Sequence, residues 1–288
     1  MLKSMYSGVS GMKSFQTKMD VISNNIANVS TVGFKTGRVR FEDMISQINQ
    51  TAQGPNNNGG GGVNTQQVGL GVQVGSTDTV MSGGSLQPTG RNLDFAIQNG
   101  DSSFFVVSKT GDGANVQFTR DGGFYADQDG NLVTASGARL MGYNTDPITG
   151  ESLAVDAGVV TLSIPEDVDG EDIQNYTIDN TGLITATLAD GNTATLGQVA
   201  LASFANPDGL EKAGGNLYNN TANSGEVIYG LPSDAGYGVI RSGFLEMSNV
   251  DLANEFTEMI TTSRAYQANS RSITTSDEML QELINLKR

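Results

Sequence analysis

The chain of 288 residues is acidic, with a formal net charge of −15, and it contains no histidine, cysteine or tryptophan. Because histidine is absent, serine and cysteine triads, imidazole acid–base catalysis and most zinc sites are excluded. Carboxylate-pair hydrolysis and metal binding through oxygen ligands remain open. The hydrophobic content of 37% fits a protein with a large surface in contact with water.

The charge is distributed unevenly along the chain. Residues 1–40 carry a net charge of +5, residues 41–247 carry −18 and residues 248–288 carry −2. An acidic body of this size repels nucleic acid and anionic membranes, so we predict neither as a partner. No apolar run approaches the roughly 20 residues of a membrane-spanning helix, and the N-terminus lacks the apolar region of a Sec signal peptide. We therefore predict no membrane insertion, and an export route that leaves the N-terminus uncleaved stays open.

Apolar residues in the first thirty positions follow two interleaved seven-residue series. The series are Met5, Met12, Met19 and Ile26, and Phe15, Ile22 and Val29. Their alternating spacing of three and four residues is typical of a coiled-coil seam, and no proline interrupts it, so we predict a helix from about Lys3 to Asn28. A second, short amphipathic segment is predicted from Phe41, Met44, Ile45 and Ile48.

A linker rich in glycine and asparagine is predicted at residues 51–74. In it, Gly54 and Pro55 are followed by three asparagines and four glycines, a composition that leaves nothing to form a core.

The long middle of the chain alternates short apolar runs with turn residues. The runs are 104–107, 116–119, 132–133, 159–164, 176–178, 183–188 and 199–204. Asn99-Gly100, Asp129-Gly130 and Asp190-Gly191 are hairpin turn signals, because both central positions must accept a positive φ. With no helix-length segment between the runs, the pattern predicts an antiparallel all-β domain.

Residues 145–173 interrupt this pattern and are interpreted as an insertion or a small subdomain. They include the acidic cluster 166–172, which could hold a weakly bound divalent ion, although a solvated loop is the simpler interpretation. Partial matches to a serine–lysine pair, to phosphate loops and to a calcium loop each lack a required part. We therefore predict no catalytic, cofactor-binding or metal-binding residue.

The last forty residues repeat the heptad pattern. One series is Leu252, Met259, Tyr266, Ile273 and Leu280, and Phe256 and Ile284 lie on the partner series, which Ser263, Ser270 and Asp277 interrupt. Asp251 is a suitable N-cap for a helix of about 35 residues, roughly 50 Å long.

We therefore predict a mainly β protein with terminal α-helices. The N- and C-terminal helices are paired as a coiled coil, and an antiparallel all-β central domain lies between them. The alternative is two ordinary amphipathic helices packed on one globular core. Because serines and an aspartate interrupt the seam, a two-helix pair alone is marginally stable, so we expect the termini to become ordered when neighbouring copies cover them.

Five segments resemble signature sequences of the flagellar rod and hook axial protein family. They are residues 20–35 (DVISNNIANVSTVGFK), 119–122 (TRDG), 129–133 (DGNLV), 242–252 (SGFLEMSNVDL) and 264–270 (RAYQANS). The signature positions of interest are Asn24, Asn25, Asn28, Thr31, Gly33, Phe34, Ser248, Asn249 and Val250. We interpret those of the N-terminal segment as helix termination and subunit docking, with a purely local cap and turn as the alternative.

The resemblance implies a non-enzymatic subunit that is exported through the flagellar type III apparatus and polymerises with itself. Residues 1–50 would be the N-terminal helical part of an inner domain, completed by the C-terminal helix at 248–288. Residues 75–247 would form the outer domain. Implied neighbours are the distal rod protein, the hook cap and the hook–filament junction proteins.

The chain ends resemble those of short hook proteins of Gram-positive type, which implies an extracellular hook subunit joining rod to filament. The distal rod protein is similar in length and motif order and is the alternative. An exported, carboxylate-dependent glycan hydrolase is a remote alternative, since two carboxylates converging in a cleft cannot be seen in a sequence.

Overall fold

A computed structural model describes residues 2–55, 61–111, 113, 115–144, 158–165, 167–168 and 171–286. The chain divides into two compact units. The helical unit comprises Met1–Ala27, Gly37–Thr79 and Asp251–Arg288, and the β unit comprises Asn28–Thr36 and Val80–Val250. Each unit therefore draws on segments that are distant in sequence.

Two antiparallel helices dominate the helical unit. Helix α1 spans Leu2–Ala27 and helix α2 spans Leu252–Leu286. Ser4 lies opposite Ser276 and Lys18 lies opposite Glu258, which fixes the antiparallel direction. As predicted, Asp251 caps α2, because its Oδ1 accepts a hydrogen bond of 2.9 Å from the backbone N–H of Ala253.

Four strands complete the helical unit. They are β1 (Gly37–Asp43), β2 (Gln47–Gln50), β3 (Gln66–Val68) and β4 (Val72–Thr79). Antiparallel pairs form between β1 and β4 and between β2 and β3. These strands occupy much of the stretch for which the sequence predicted a second amphipathic segment and a linker. Residues 56–60 of the predicted linker lie outside the described residues.

Within the predicted amphipathic segment, Phe41 lies in β1 and Ile48 lies in β2, with Met44 and Ile45 between the two strands. Val39 is buried between exposed Arg38 and Arg40, which is the two-residue period of a strand. The partner strand β4 begins about thirty residues further along the chain, so local periodicity could not reveal the pairing.

The β unit contains eighteen further strands among the described residues. They are β5 (Leu86–Pro88), β6 (Phe95–Gln98), β7 (Ser103–Ser108), β8 (Val116–Thr119), β9 (Phe124–Ala126), β10 (Leu132–Thr134), β11 (Arg139–Tyr143), β12 (Val160–Thr161), β13 (Asp167–Val168), β14 (Glu171–Ile178), β15 (Leu183–Leu188), β16 (Thr193–Val199), β17 (Leu201–Ser203), β18 (Glu211–Gly214), β19 (Leu217–Asn219), β20 (Ile228–Gly230), β21 (Val239–Ser242) and β22 (Phe244–Glu246).

One large antiparallel sheet runs in the order β13-β14-β15-β16-β11-β7-β8-β19-β18, with β9, β10, β12, β17 and β20 branching from it. Two small pairs, β6 with β21 and β5 with β22, lie outside it. Strand β7 is buried on both faces: Phe105 and Val107 belong to one hydrophobic cluster, and Phe104 and Val106 belong to the other. It is therefore the central strand of the core.

The predicted fold class is confirmed: the protein is mainly β, with one helix at each end and antiparallel strands between. Two of the predicted hairpin turns connect paired strands: Asp129-Gly130 lies between β9 and β10, and Asp190-Gly191 lies between β15 and β16. In each of these turns only the glycine has a positive φ, 76° at Gly130 and 77° at Gly191, so the expectation of a positive φ at both central positions was wrong. Asn99 has a φ of 60°, but the strands on either side of Asn99-Gly100, β6 and β7, do not pair with each other. The predicted run 159–164 is shorter than expected, because only Val160–Thr161 pairs as a strand. Residues 145–157, 166 and 169–170 of the predicted insertion lie outside the described residues.

Candidate functional site

Small residues set the closest approach between the two helices. A Cβ atom added at Gly8 would lie 3.0 Å from Cγ1 of Ile273, and one at Gly11 would lie 2.8 Å from Nδ2 of Asn269. Ser4, Gly8 and Gly11 follow an i, i+4, i+7 spacing and form one face of α1. The heptad pattern does not reveal this face, because its two series contain only the apolar positions beside Ser4, Gly8 and Gly11.

The predicted seam residues differ in how far they are covered. On α1, Ile22 is buried and the other five are half-buried, namely Met5, Met12, Phe15, Met19 and Ile26, while Val29 follows the helix and is half-buried. The Phe15 ring packs edge-on against Phe41 of β1, with 5.5 Å between centroids. On α2, Met259, Tyr266, Ile273 and Leu280 are half-buried, whereas Leu252, Phe256 and Ile284 are exposed.

Asn25 joins the end of α1 to the start of β1 and to α2. Its side chain is 2% exposed, and it forms a reciprocal pair of hydrogen bonds with the backbone of Gly37, at 2.9 and 3.0 Å. Its Nδ2 also donates to Oε1 of Glu255 at 3.1 Å. Burial raises the pKa of the Glu255 carboxyl despite this hydrogen bond. The neighbouring signature residue Asn24 is exposed.

A buried ion triad lies in the β unit, where three segments quoted for the family resemblance meet. The Nζ atom of Lys35 lies 2.6 Å from Oε1 of Glu246, and Nη1 of Arg120 lies 3.1 Å from its Oε2. The side chains of Lys35, Arg120 and Glu246 are 0%, 1% and 1% exposed. Charges withdrawn from water this completely require both pairing and hydrogen bonds.

Further hydrogen bonds hold the triad in place. Lys35 Nζ donates to the carbonyl of Ser82 at 2.8 Å, Arg120 Nη2 donates to the carbonyl of Gly100, and the backbone N–H of Gly84 donates to Glu246 Oε1 at 3.0 Å. The Arg120 guanidinium also lies over the ring of Phe104, 4.9 Å from the centroid.

The two ends of the Lys35–Glu246 pair respond differently to burial. Desolvation lowers the pKa of Lys35, and the attraction of Glu246 only partly opposes this. Desolvation acts to raise the pKa of Glu246, but the charges of Arg120 and Lys35 outweigh it and hold the pKa below its ordinary value. At neutral pH the Glu246 carboxyl is therefore ionised and pairs with both Lys35 and Arg120.

Gly33 and Phe34, in the N-terminal signature segment, lie beside this triad. Gly33 has a φ of 67°, and its N–H donates to the Glu246 carbonyl at 2.8 Å. A Cβ atom there would lie 2.8 Å from the Arg120 carbonyl carbon, so only glycine fits. The Phe34 ring lies under the ammonium of Lys212, 5.0 Å from Nζ.

The remaining signature residues act close to the same place. Thr31 Oγ1 donates to Asn28 Oδ1 at 3.0 Å. Asn249 Oδ1 accepts from the N–H of Thr36 at 2.8 Å, and its Nδ2 donates to the Val80 carbonyl at 2.9 Å. Ser248 Oγ accepts from the N–H of Val250 at 3.2 Å. The signature residues of the β unit thus join its first and last segments, and the predicted docking role stays a prediction.

The described part of the chain offers little for catalysis or ligand chemistry. Its buried carboxylates are Asp94 and Glu246, and both lie in ion pairs. No group of three or more acidic residues within it could hold a metal ion, and no helix in it is long and apolar enough to cross a membrane. Two members of the acidic cluster 166–172, Glu166 and Asp169, lie outside the described residues.

Comparison with known families matches three parts of the chain. Residues 5–35 match the family "Flagella basal body rod protein", residues 96–186 match "Flagellar hook protein FlgE/F/G D1 domain" and residues 241–286 match "Flagellar basal body rod FlgEFG protein C-terminal". All three descriptions name rod or hook proteins of the flagellum.

Whole-length relatives agree with these matches. The chain is 48% identical over 291 residues to the flagellar basal-body rod protein FlgG of Bacillus subtilis and 36% identical over 290 residues to FlgG of Borreliella burgdorferi. It is 31% identical over 447 residues to the flagellar hook protein FlgE of Borreliella burgdorferi. Each similarity covers 100% of both chains. The chain belongs to the flagellar rod and hook protein family and is a structural component of the flagellum.

Proposed function

We propose that the protein is the distal rod subunit of the flagellar basal body, polymerising into the axial tube that carries torque from the motor towards the hook. The similarity to rod proteins over the full length carries this proposal. Alignment to FlgG spans 290 or 291 residues, close to the 288 of this chain, whereas alignment to the hook protein spans 447. A hook subunit of that size contains a large segment for which this chain has no counterpart.

The hook function, predicted from the two chain ends, is therefore the second candidate. One organism supplies both comparisons: its rod protein is 36% identical and its hook protein 31% identical to this chain. A glycan hydrolase gains no support, because Asp94 and Glu246 are both committed to ion pairs within the described part of the chain.

The helical unit is the proposed assembly surface. Helix α2 exposes Leu252, Phe256 and Ile260 at four-residue intervals, with Ile260 62% exposed. A contiguous apolar stripe of this kind marks a contact surface, and a second copy of the protein is the proposed partner. The β unit has two hydrophobic clusters of its own.

The proposed location and partners follow from this role. The subunit would be exported through the flagellar type III apparatus without signal cleavage, and would contact copies of itself and the adjoining rod and hook subunits. The hook cap and the hook–filament junction proteins would be direct neighbours only under the hook alternative.

Electron microscopy of basal bodies from a deletion strain tests the proposal. Loss of a distal rod subunit should leave truncated rods, and expression of the intact protein should restore full length. Complete rods that lack hooks would favour the hook alternative, and unaltered basal bodies would refute both.

A further inference from the structure

An apolar groove lies on the helical unit beside the first turns of α1. It has a volume of about 440 Å³ and is lined by Tyr6, Val9, Met44 and Leu70, with Lys3 and Lys13 at its rim. The Tyr6 side chain is 72% exposed. Lys3 donates a hydrogen bond to the side chain of Gln47, which holds this lysine at the rim.

The last described turns of α2 have the complementary character. Met279, Leu283 and Leu286 follow an i, i+4, i+7 spacing and are exposed, Leu283 by 49%. Residues 277–286 contain three acidic and no basic side chains, namely Asp277, Glu278 and Glu282, and the basic pair 287–288 follows. This segment, which we call the α2 tail, thus combines an apolar face with negative charge, whereas the groove combines apolar walls with positive charge.

The groove and the tail of one chain are out of register along the helix pair. Gly8, at the level of the groove, lies opposite Ile273. Leu283 is ten residues further along α2, a distance of about 15 Å at the helical rise of 1.5 Å per residue. A second copy displaced by about that distance along the helix axis would bring its tail to the groove.

We propose that the α2 tail of one subunit docks in the groove of a neighbouring copy. This inference rests on the proposed polymerisation and specifies one of its contacts. Met279 and Leu283 would contact Tyr6, Val9 and Leu70, and Glu282 would face the rim lysines. Because the groove and the tail are different surfaces, each copy can give and receive one such contact, which produces an open chain of subunits and not a closed pair.

Disulfide trapping tests the contact directly, since the chain has no native cysteine. The double variant Val9→Cys/Leu283→Cys should form a ladder of linked subunits under oxidation in assembled rods, and no ladder in dilute monomer. Matched controls are the two single variants, which can form at most linked pairs, and Val9→Cys/Gln267→Cys, whose second cysteine is exposed on α2 away from the tail.

A charge exchange provides the second test. Lys13→Glu should slow assembly about tenfold through repulsion of the acidic tail, and Lys13→Glu/Glu282→Lys should recover most of that loss. Normal assembly without a ladder, or a double variant no faster than Lys13→Glu, would overturn the docking contact and leave the rod function standing. Failure of the unmodified protein to assemble at all would instead refute the polymerisation on which the inference rests.

Discussion

Replacement of Glu246 by glutamine isolates the charge of the buried triad. Glutamine has nearly the same shape and keeps an oxygen that can accept the 3.0 Å hydrogen bond from Gly84, but it leaves the Lys35 and Arg120 cations without a counter-charge. Removing one partner of a buried ion pair costs about 3–5 kcal/mol. Since a domain is stable by only about 5–15 kcal/mol, we expect loss of a large fraction of the stability of the β unit.

Urea unfolding of the purified monomer at pH 7, followed by circular dichroism, measures this loss. Glu226→Gln is the matched control, because Glu226 is an exposed carboxylate of the same unit, and we expect a change within about 0.5 kcal/mol. In a double-mutant cycle, Lys35→Met should cost much less in the Glu246→Gln background than in the native chain. A loss below about 1 kcal/mol for Glu246→Gln would refute the assignment of a dry, mutually dependent triad.

The triad also predicts how stability changes with acid. Because the native pKa of Glu246 lies below its ordinary value of 4.5, its contribution is complete above that pH and disappears as the pH falls through the lowered native pKa. The Glu246→Gln variant should lack this part of the acid-induced loss. Parallel pH titrations of stability that keep a constant difference between the two proteins down to pH 2 would contradict the assignment.

Three further predictions concern other contacts. Gly33→Ala should destabilise the β unit by roughly 2 kcal/mol or more, because the added Cβ atom clashes with the backbone. Gly137→Ala is the control, since Gly137 has a φ of 81° but nothing within 4 Å of an added Cβ atom, and it should cost about 1 kcal/mol. Thermal melts of the two variants measure both losses, and equal losses would contradict the clash at Gly33. Asn249→Ala should cost about 1–3 kcal/mol by urea unfolding, because it leaves backbone groups of Thr36 and Val80 unpaired. Amide exchange should be fast in α1 and α2 of the dilute monomer and slow after assembly, because neighbouring copies are expected to order the two helices. Protection of both helices before assembly would contradict this expectation.

The terminal helices could be predicted from the sequence because their signal is local. The seven-residue series, the absence of proline and the cap at Asp251 all lie within the segments that form α1 and α2 or directly beside them. The pairing of β1 with β4 could not be predicted in the same way, because neither strand shows which distant segment it pairs with. The Gly8 and Gly11 contacts depend on the position of α2 and were missed for the same reason.

The buried triad was hidden for a different reason. Lysine, arginine and glutamate are usually exposed, and nothing in the sequence around Lys35 or Glu246 marks them as buried. The resemblance to the flagellar family identified the segments that carry them, but not that these segments meet. A buried lysine becomes predictable only when its counter-charge, 211 residues away, is placed beside it.

The order in which the triad is synthesised has a consequence for the newly made chain. Lys35 and Arg120 emerge from the ribosome long before Glu246, so the incomplete chain carries two cations that cannot yet be withdrawn from water. The β unit cannot close in its final form until residue 246 of 288 has been added. For nearly the whole of its synthesis the polypeptide therefore lacks both the buried triad and the closed β unit.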